Sequence, residues 1–221
     1  MFEVGSYVTF GRYPQGAGDN PAPEPIEWLV LENNGKTALL LSKYGLDCQP
    51  FHHENKEKNW CDCDLRKWLN KEFFNSAFSD DERQRITESV IFEDNPVYGK
   101  NCGKTRDKLF CLSVEECYKY FGKVKQYRNC VFDDAVSGNR ERACKATAYA
   151  MSKGAAQGKE ISQDAGEKTE WWFDNCAYWL RSPGMCTEDA SIVDYSGYVD
   201  IDGDNVTSDD YAVRPALRII L

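Results

Sequence analysis

Eight carboxylates crowd one stretch of this sequence. Glu188, Asp189, Asp194, Asp200, Asp202, Asp204, Asp209 and Asp210 lie between Met185 and Ala212, with no Lys or Arg among them. Paired carboxylates run general acid–base chemistry only where unlike surroundings push their pKa values apart. Here the neighbours are Ser, Tyr and Asn throughout, a uniformly solvated setting that argues against catalysis. The segment DIDGDNVTSDD has some of the acids of a calcium loop, but its glycine falls at the fourth position rather than the sixth and no Glu closes it. No metal or cofactor is expected. His52 and His53 are adjacent in QPFHHEN. Neighbours on a strand point to opposite faces, so the pair is not expected to serve one site and reads as a surface loop. There is no nucleophile elbow and no phosphate-cradling glycine motif. The ten cysteines include Cys61-x-Cys63 in WCDCD, but no two-residue-spaced pair answers it, so zinc is not expected. Scattered reduced thiols are expected instead. In an exported protein one or two bridges would form, with a pairing that spacing does not assign.

The same acidic stretch carries a strict frame. Val193, Val199, Val206 and Val213 recur with Gly197 and Gly203 between them. From Ser191 to Tyr211, sixteen positions outside this frame hold only Asp, Tyr, Ser, Ile, Asn and Thr. Lys, Glu, Gln, Met and Trp are missing, an absence expected by chance on the order of a few per cent of the time. Tyr supplies rigid contact area at low entropic cost, and Ser and Asn adapt their hydrogen bonds. The pattern predicts inward valines that hold register, glycines at φ > 0 turns, and an outward row of contact residues. An ordinary polar sheet edge would share part of this composition.

These residues need a scaffold, and the rest of the chain supplies one. Its 221 residues suit a single domain, 1–221, with apolar content of 42%. Removing the eight acids from the total of 36 leaves 28 against 27 bases, so the acidity belongs to one face. Such a face repels phosphate backbones and excludes nucleic acid as main partner. No apolar run is long enough to span a membrane. The start, MFEVGSYVTFGRYPQ, lacks a basic segment followed by an apolar core, so cytoplasmic synthesis without a secretory signal is expected. SYVTFGRYP alternates as a strand, and IEWLVLENNGKTALLLSKY reads as a hairpin about Asn34-Gly35. Leu65, Trp68, Leu69 and Phe73 have helical spacing. Ser79 with Glu82 and Ser113 with Glu116 form capping boxes, Ile86 falls on the inner face of the first capped helix, and Gly122 is a helix stop. RACKATAYAMSKG predicts a short helix, and Ala155 to Thr169 a mobile loop. Ser196-Gly197 and Asp202-Gly203 are read as turns between short strands, and YAVRPALRIIL as one final strand with Pro215 at an edge or bulge. The sum is an α+β fold with mixed or antiparallel sheets, two to four helices and long loops.

WLRSPG (Trp179 to Gly184), the spaced Ala190, Val193, Gly197, Val199, Gly203, Val206 frame and the terminal VRPAL are similar to the variable region of target proteins of diversity-generating retroelements. FGRYPQ, IEWLVLE, LLLSKYGLD, LRKWLNKEFFNSAF and DKLFCLSVEE resemble a bacterial and phage domain family of poorly defined function that accompanies such regions. The resemblance implies a C-type-lectin-like fold and a variable region at about 185–212. It implies mutagenesis directed at adenines, mostly in AAC codons, which cannot reach the five missing residue types. Met185 and Glu188 depart from that rule, so diversification begins after Gly184 or those codons are fixed or of another type. It also implies a non-enzymatic, hypervariable display protein that binds a protein or cell-surface ligand, on a phage particle, at a cell surface or inside a cell. The acids favour a basic partner. The binding residues carried over are Ser191, Ile192, Asp194, Tyr195, Ser196, Tyr198, Asp200, Ile201, Asp202, Asp204, Asn205, Thr207, Ser208, Asp209, Asp210 and Tyr211, with Thr187 and Asp189 outlying. Trp179, Arg181 and Arg214 read as scaffold. A calcium-assisted, carbohydrate-binding lectin and a formylglycine-generating type of oxidase are the alternatives on this fold; the oxidase needs a reactive cysteine pair, for which Cys176 and Cys186 are the candidates.

Overall fold

The computed structural model describes residues 2–18, 20–92, 95, 97–98, 103–122, 125–127, 130–132, 139–158 and 171–221. Alternating and continuous apolar runs build its first sheet. Strand β1 (Tyr7–Pro14) pairs antiparallel with β2 (Pro23–Asn33), and β2 with β3 (Thr37–Ser42). The β2–β3 turn is the expected Asn-Gly hairpin. Gly35 takes φ 80°, and Asn34 Oδ1 accepts from Thr37 N at 2.8 Å.

The last strand, β15 (Ala216–Ile220), lies against β3 on one side and against β5 (Ile86–Thr87) and β8 (Leu109–Phe110) on the other. Pro215 therefore does not mark an edge. It interrupts the expected single strand, because a residue without an N–H suits the joint where the chain leaves one sheet and enters the next. Its carbonyl still accepts from Ser42 N at 2.9 Å.

Two of the helices follow their predicted caps. α1 (Asp64–Trp68), a π-helical turn (Leu69–Phe73) and α2 (Phe74–Ala77) run on as one stretch that buries Leu65, Leu69 and Phe73. In the π turn, Asn70 Nδ2 donates to Leu109 O at 2.8 Å and its Oδ1 accepts from Lys108 N at 2.8 Å, which ties the helix to β8. α3 (Asp80–Arg85) and α4 (Val114–Phe121) each start on a full capping box, and Gly122 ends α4 at φ 100°. Ile86 opens β5 rather than continuing α3. α5 (Ala148–Ser152) is capped by Thr147. Of the loop expected at 155–169, positions 159–169 lie outside the described residues.

The second sheet runs β13 (Val199–Asn205), β12 (Asp189–Val193), β11 (Tyr178–Pro183), β14 (Ala212–Val213), β4 (Asp47–Cys48). Only the β11–β14 pair is parallel among these strands. Two small hairpins, β6 (Ser89–Phe92) with β7 (Lys104–Asp107) and β9 (Lys125–Tyr127) with β10 (Cys130–Phe132), stand apart. The architecture is thus α+β with four helical stretches among the described residues and mostly antiparallel sheets.

One buried cluster joins the sheets, with Trp28, Leu40, Phe51, Trp60, Trp179 and Leu217 in it. Buried arginines need many acceptors, and both scaffold arginines have them. Arg214 donates to Ser42 O and Arg142 O at 3.0 and 2.8 Å. Arg181 donates to Phe92 O and Cys111 O at 2.9 and 2.8 Å and pairs with Glu116.

Candidate ligand-binding face

All four frame valines are buried. Gly197 (φ 79°) sits in the β12–β13 turn, where a Cβ would fall 2.0 Å from Asn139 O. Gly203 (φ 77°) lies inside β13 rather than in a turn between strands. Ala190 pairs with Asp204 and Ile192 with Asp200, so three residues of β13 oppose the single Ser191. Asp202-Gly203 is therefore a bulge. A Cβ at Gly203 would fall 2.2 Å from Ala190 O, so close backbone approach and positive φ both call for glycine.

Neighbouring loops grip this hairpin through its backbone. His52 N donates to Val206 O at 2.8 Å and Asn139 N to Ser196 O at 2.9 Å. Buried Asn95 donates to Pro183 O and Ile201 O at 2.7 and 3.1 Å. Backbone contacts of this kind do not depend on which side chains the hairpin carries.

The gaps in the frame enclose a hollow of about 280 Å³, lined by Ile192, Asp194, Tyr195, Asp200, Asp210 and Tyr211 together with Ala156 and Ala177. Both tyrosines are held by tryptophans. The Tyr195 ring lies 5.0 Å from that of Trp172, and the Tyr211 ring 4.5 Å from that of Trp179. Tyr211 also donates its hydroxyl to Asp204. Burial pushes the Asp200 carboxyl up, partial covering of the carboxyl does the same for Asp210 although that residue as a whole stays exposed, and nearby acids push the same way. Burial also raises Tyr195 and Tyr211, helped by Asp194 and Asp204 respectively.

Not every expected contact residue faces outward. Ser191 is 0% exposed and donates to Pro183 O at 3.1 Å, because the bulge turns it under the sheet. Ile192, 6% exposed, forms part of the hollow's lining. Asp194, Asp200 and Asn205 each use one oxygen on local backbone N–H groups, at Ser196 and Tyr198, at Asp202 and Gly203, and at Thr207. Asp202 accepts from Tyr98, and Asp189 Oδ2 accepts from Cys186 N at 3.3 Å. Thr187, Asp209 and Asp210 are exposed, while Ser196, Tyr198, Ile201, Thr207 and Ser208 are half-buried. Asn139, Trp172 and Ala156 were not legible as site residues, since they come from distant segments and carry no local motif.

The histidines depart from expectation. Their segment is the expected loop and His53 is exposed, but the two rings do not diverge: His52 Nδ1 lies 2.6 Å and His53 Nδ1 3.1 Å from Asp64 Oδ2. His52 is buried rather than superficial. Burial opposes the charge on Asp64, but hydrogen bonds from Lys67 and His53 outweigh it and hold the carboxyl far below its usual range. Cys176 is buried and Cys186 exposed, and they flank β11, a six-residue strand about 20 Å long. Among the described residues no three or more metal-ligating side chains gather, and no helix is long and apolar enough to cross a membrane.

No curated protein and no solved structure matches the chain. Residues 34–221 match the family described as a domain of unknown function, DUF6273, and the chain belongs to that family.

Proposed function

We infer that this chain is a non-enzymatic binding protein of the diversity-generating retroelement type, with a C-type-lectin-like arrangement that presents a hypervariable face to a protein or cell-surface ligand. The observation that carries this reading is a division of labour within one C-terminal segment, from β12 to β14. The valines and glycines of the frame are buried or sterically required, while the gap residues supply six of the eight residues lining the hollow. A pocket with an apolar patch, rigid aromatic walls and a few convergent polar groups is the usual shape of a recognition site. Tyr195 and Tyr211 are the anchors, and the raised carboxyls select a cationic group on the partner.

The neighbouring DNA tests the origin of this face. A near-copy of the 3′ coding segment beside a reverse transcriptase gene, differing mainly at adenines, is the expected finding; its absence would remove the retroelement assignment. Binding is tested separately by selecting a cell-surface protein library against the chain and repeating the selection with Tyr195→Ala/Asp210→Ala. Capture that weakens tenfold or more with the double variant, and falls as salt rises, is expected at an unchanged melting temperature. A double variant that binds equally well, or that unfolds, contradicts the reading.

A further inference from the structure

We propose that Cys144 and Cys176 form a redox-modification site, a thiol pair that a low-molecular-weight disulfide converts into a covalent brace behind the hollow. The two residues face each other across an antiparallel bridge, and Cys176 N donates to Cys144 O at 2.8 Å. Opposed residues in such a hydrogen-bonded pair have Cα atoms about 5.5 Å apart. A disulfide spans Cα separations of about 4.4–6.8 Å, so the backbone is already in range. Directly opposed side chains share one face of the pair. Both cysteines are buried, and Gly45 keeps the space beside them open: a Cβ there would fall 3.3 Å from Cys176 Sγ and 2.6 Å from Ala212 Cβ.

The surroundings favour exchange at this pair over Cys48, Cys111 and Cys117. Burial opposes ionisation of Cys144, yet the hydrogen bond with the Cys176 thiol and the charge of Arg214 pull it below the usual thiol range, while that same hydrogen bond and burial push Cys176 up. A thiolate beside a thiol is the starting state for disulfide exchange. Burial instead pushes Cys48, Cys111 and Cys117 up to about 12, which keeps them protonated and inert.

The step balances with the small disulfide alone. As the opened chain refolds and before both sulfurs are covered, the Cys144 thiolate attacks one sulfur of the reagent, whose S–S bond breaks to release one thiolate that takes up a proton. Cys176 then loses its proton and attacks the Cys144 sulfur of the mixed disulfide, expelling the second thiol. Two electrons pass to the reagent, which leaves as two thiols.

The new bond would tie the chain before α5 to the residues entering β11. Cys176 also bridges Gln157, and the adjoining residues Ala156 and Ala177 line the hollow. Oxidation would therefore stiffen the wall of the recognition face without touching its variable side chains.

The test is to unfold the full chain, refold it in oxidised and reduced glutathione, block remaining thiols and map crosslinked peptides by mass spectrometry. One dominant crosslink, Cys144 to Cys176, is expected, with a melting temperature about 5–10 °C above that in reductant. Cys176→Ala should lose that gain, and Cys48→Ala should keep it. Both thiols remaining unlinked, a crosslink from either to another cysteine, or an oxidised form no more stable than the reduced one would each overturn the proposal. The mapping uses the wild-type chain, so it decides even if Cys176→Ala fails to fold.

Discussion

Asp200 shows how a single side chain can serve both the frame and the face. One oxygen accepts from Asp202 N and Gly203 N at the bulge, while the residue also lines the hollow. Burial, aided by Asp202 and Asp194, raises its carboxyl above the ordinary 3.8. The folded protein then holds that proton more tightly than the unfolded chain. Its stabilising contribution is present below 3.8 and is lost as pH rises through the folded value. Asp200→Asn keeps the acceptor and removes the charge. It should be at least as stable as wild type at about pH 7, with the difference closing at about pH 3; denaturant melts at the two values would show it, and a destabilised variant at neutral pH would refute the account. Ser191 is the opposite case, a gap residue buried under the bulge. Ser191→Leu should cost about 1–3 kcal/mol by overpacking. A neutral result in chemical denaturation would return Ser191 to the variable face.

At the scale of elements, the devices that were legible are those that close within a few residues. Both capping boxes, the Asn34-Gly35 turn and the Gly122 stop stand where their sequence signals put them. Each depends on a side chain reaching a backbone group three residues away, or on a local φ that glycine allows. Asp202-Gly203 and Pro215 read as interruptions in the sequence, but the first is a bulge rather than a turn and the second a joint between sheets rather than an edge. A glycine at positive φ serves a turn or a bulge equally well, and only the partner strand's register separates them. The β12–β13 turn gives a direct check. Gly197→Ala forces a left-handed residue and a Cβ 2.0 Å from Asn139 O, so a loss of roughly 2 kcal/mol or more is expected in equilibrium unfolding. Tolerance of alanine would mean that the Asn139 loop is not seated on the turn.

Across the whole molecule, Glu32 joins three elements far apart in the chain. From β2 it accepts from Arg218 of β15 at 2.8 Å, and from Lys119 and Tyr120 of α4 at 2.5 and 2.7 Å. Burial works against its charge, but these hydrogen bonds outweigh burial and hold the carboxyl at about 2 rather than 4.5. With the folded value depressed, its stabilisation is present above pH 4.5 and is lost as pH falls toward about 2. Glu32→Gln should lose about 1 kcal/mol at neutral pH, a figure reduced for solvent screening, and should converge with wild type in acid. Parallel stability curves down to about pH 2 would exclude this network as a source of acid lability.

The valine frame and the acidic, lysine-free gaps were written in the chain itself, because an aliphatic side chain seeks the interior and a carboxylate seeks water wherever the strand carries them, although consecutive burial of Ala190 to Val193 and the bulge in β13 break simple alternation. Packing alone decided which gap residues meet around the hollow, that His52 and His53 share Asp64, and that Cys144 faces Cys176. These contacts join segments distant in sequence, and their geometry comes from how both sheets settle on one core rather than from any short-range spacing.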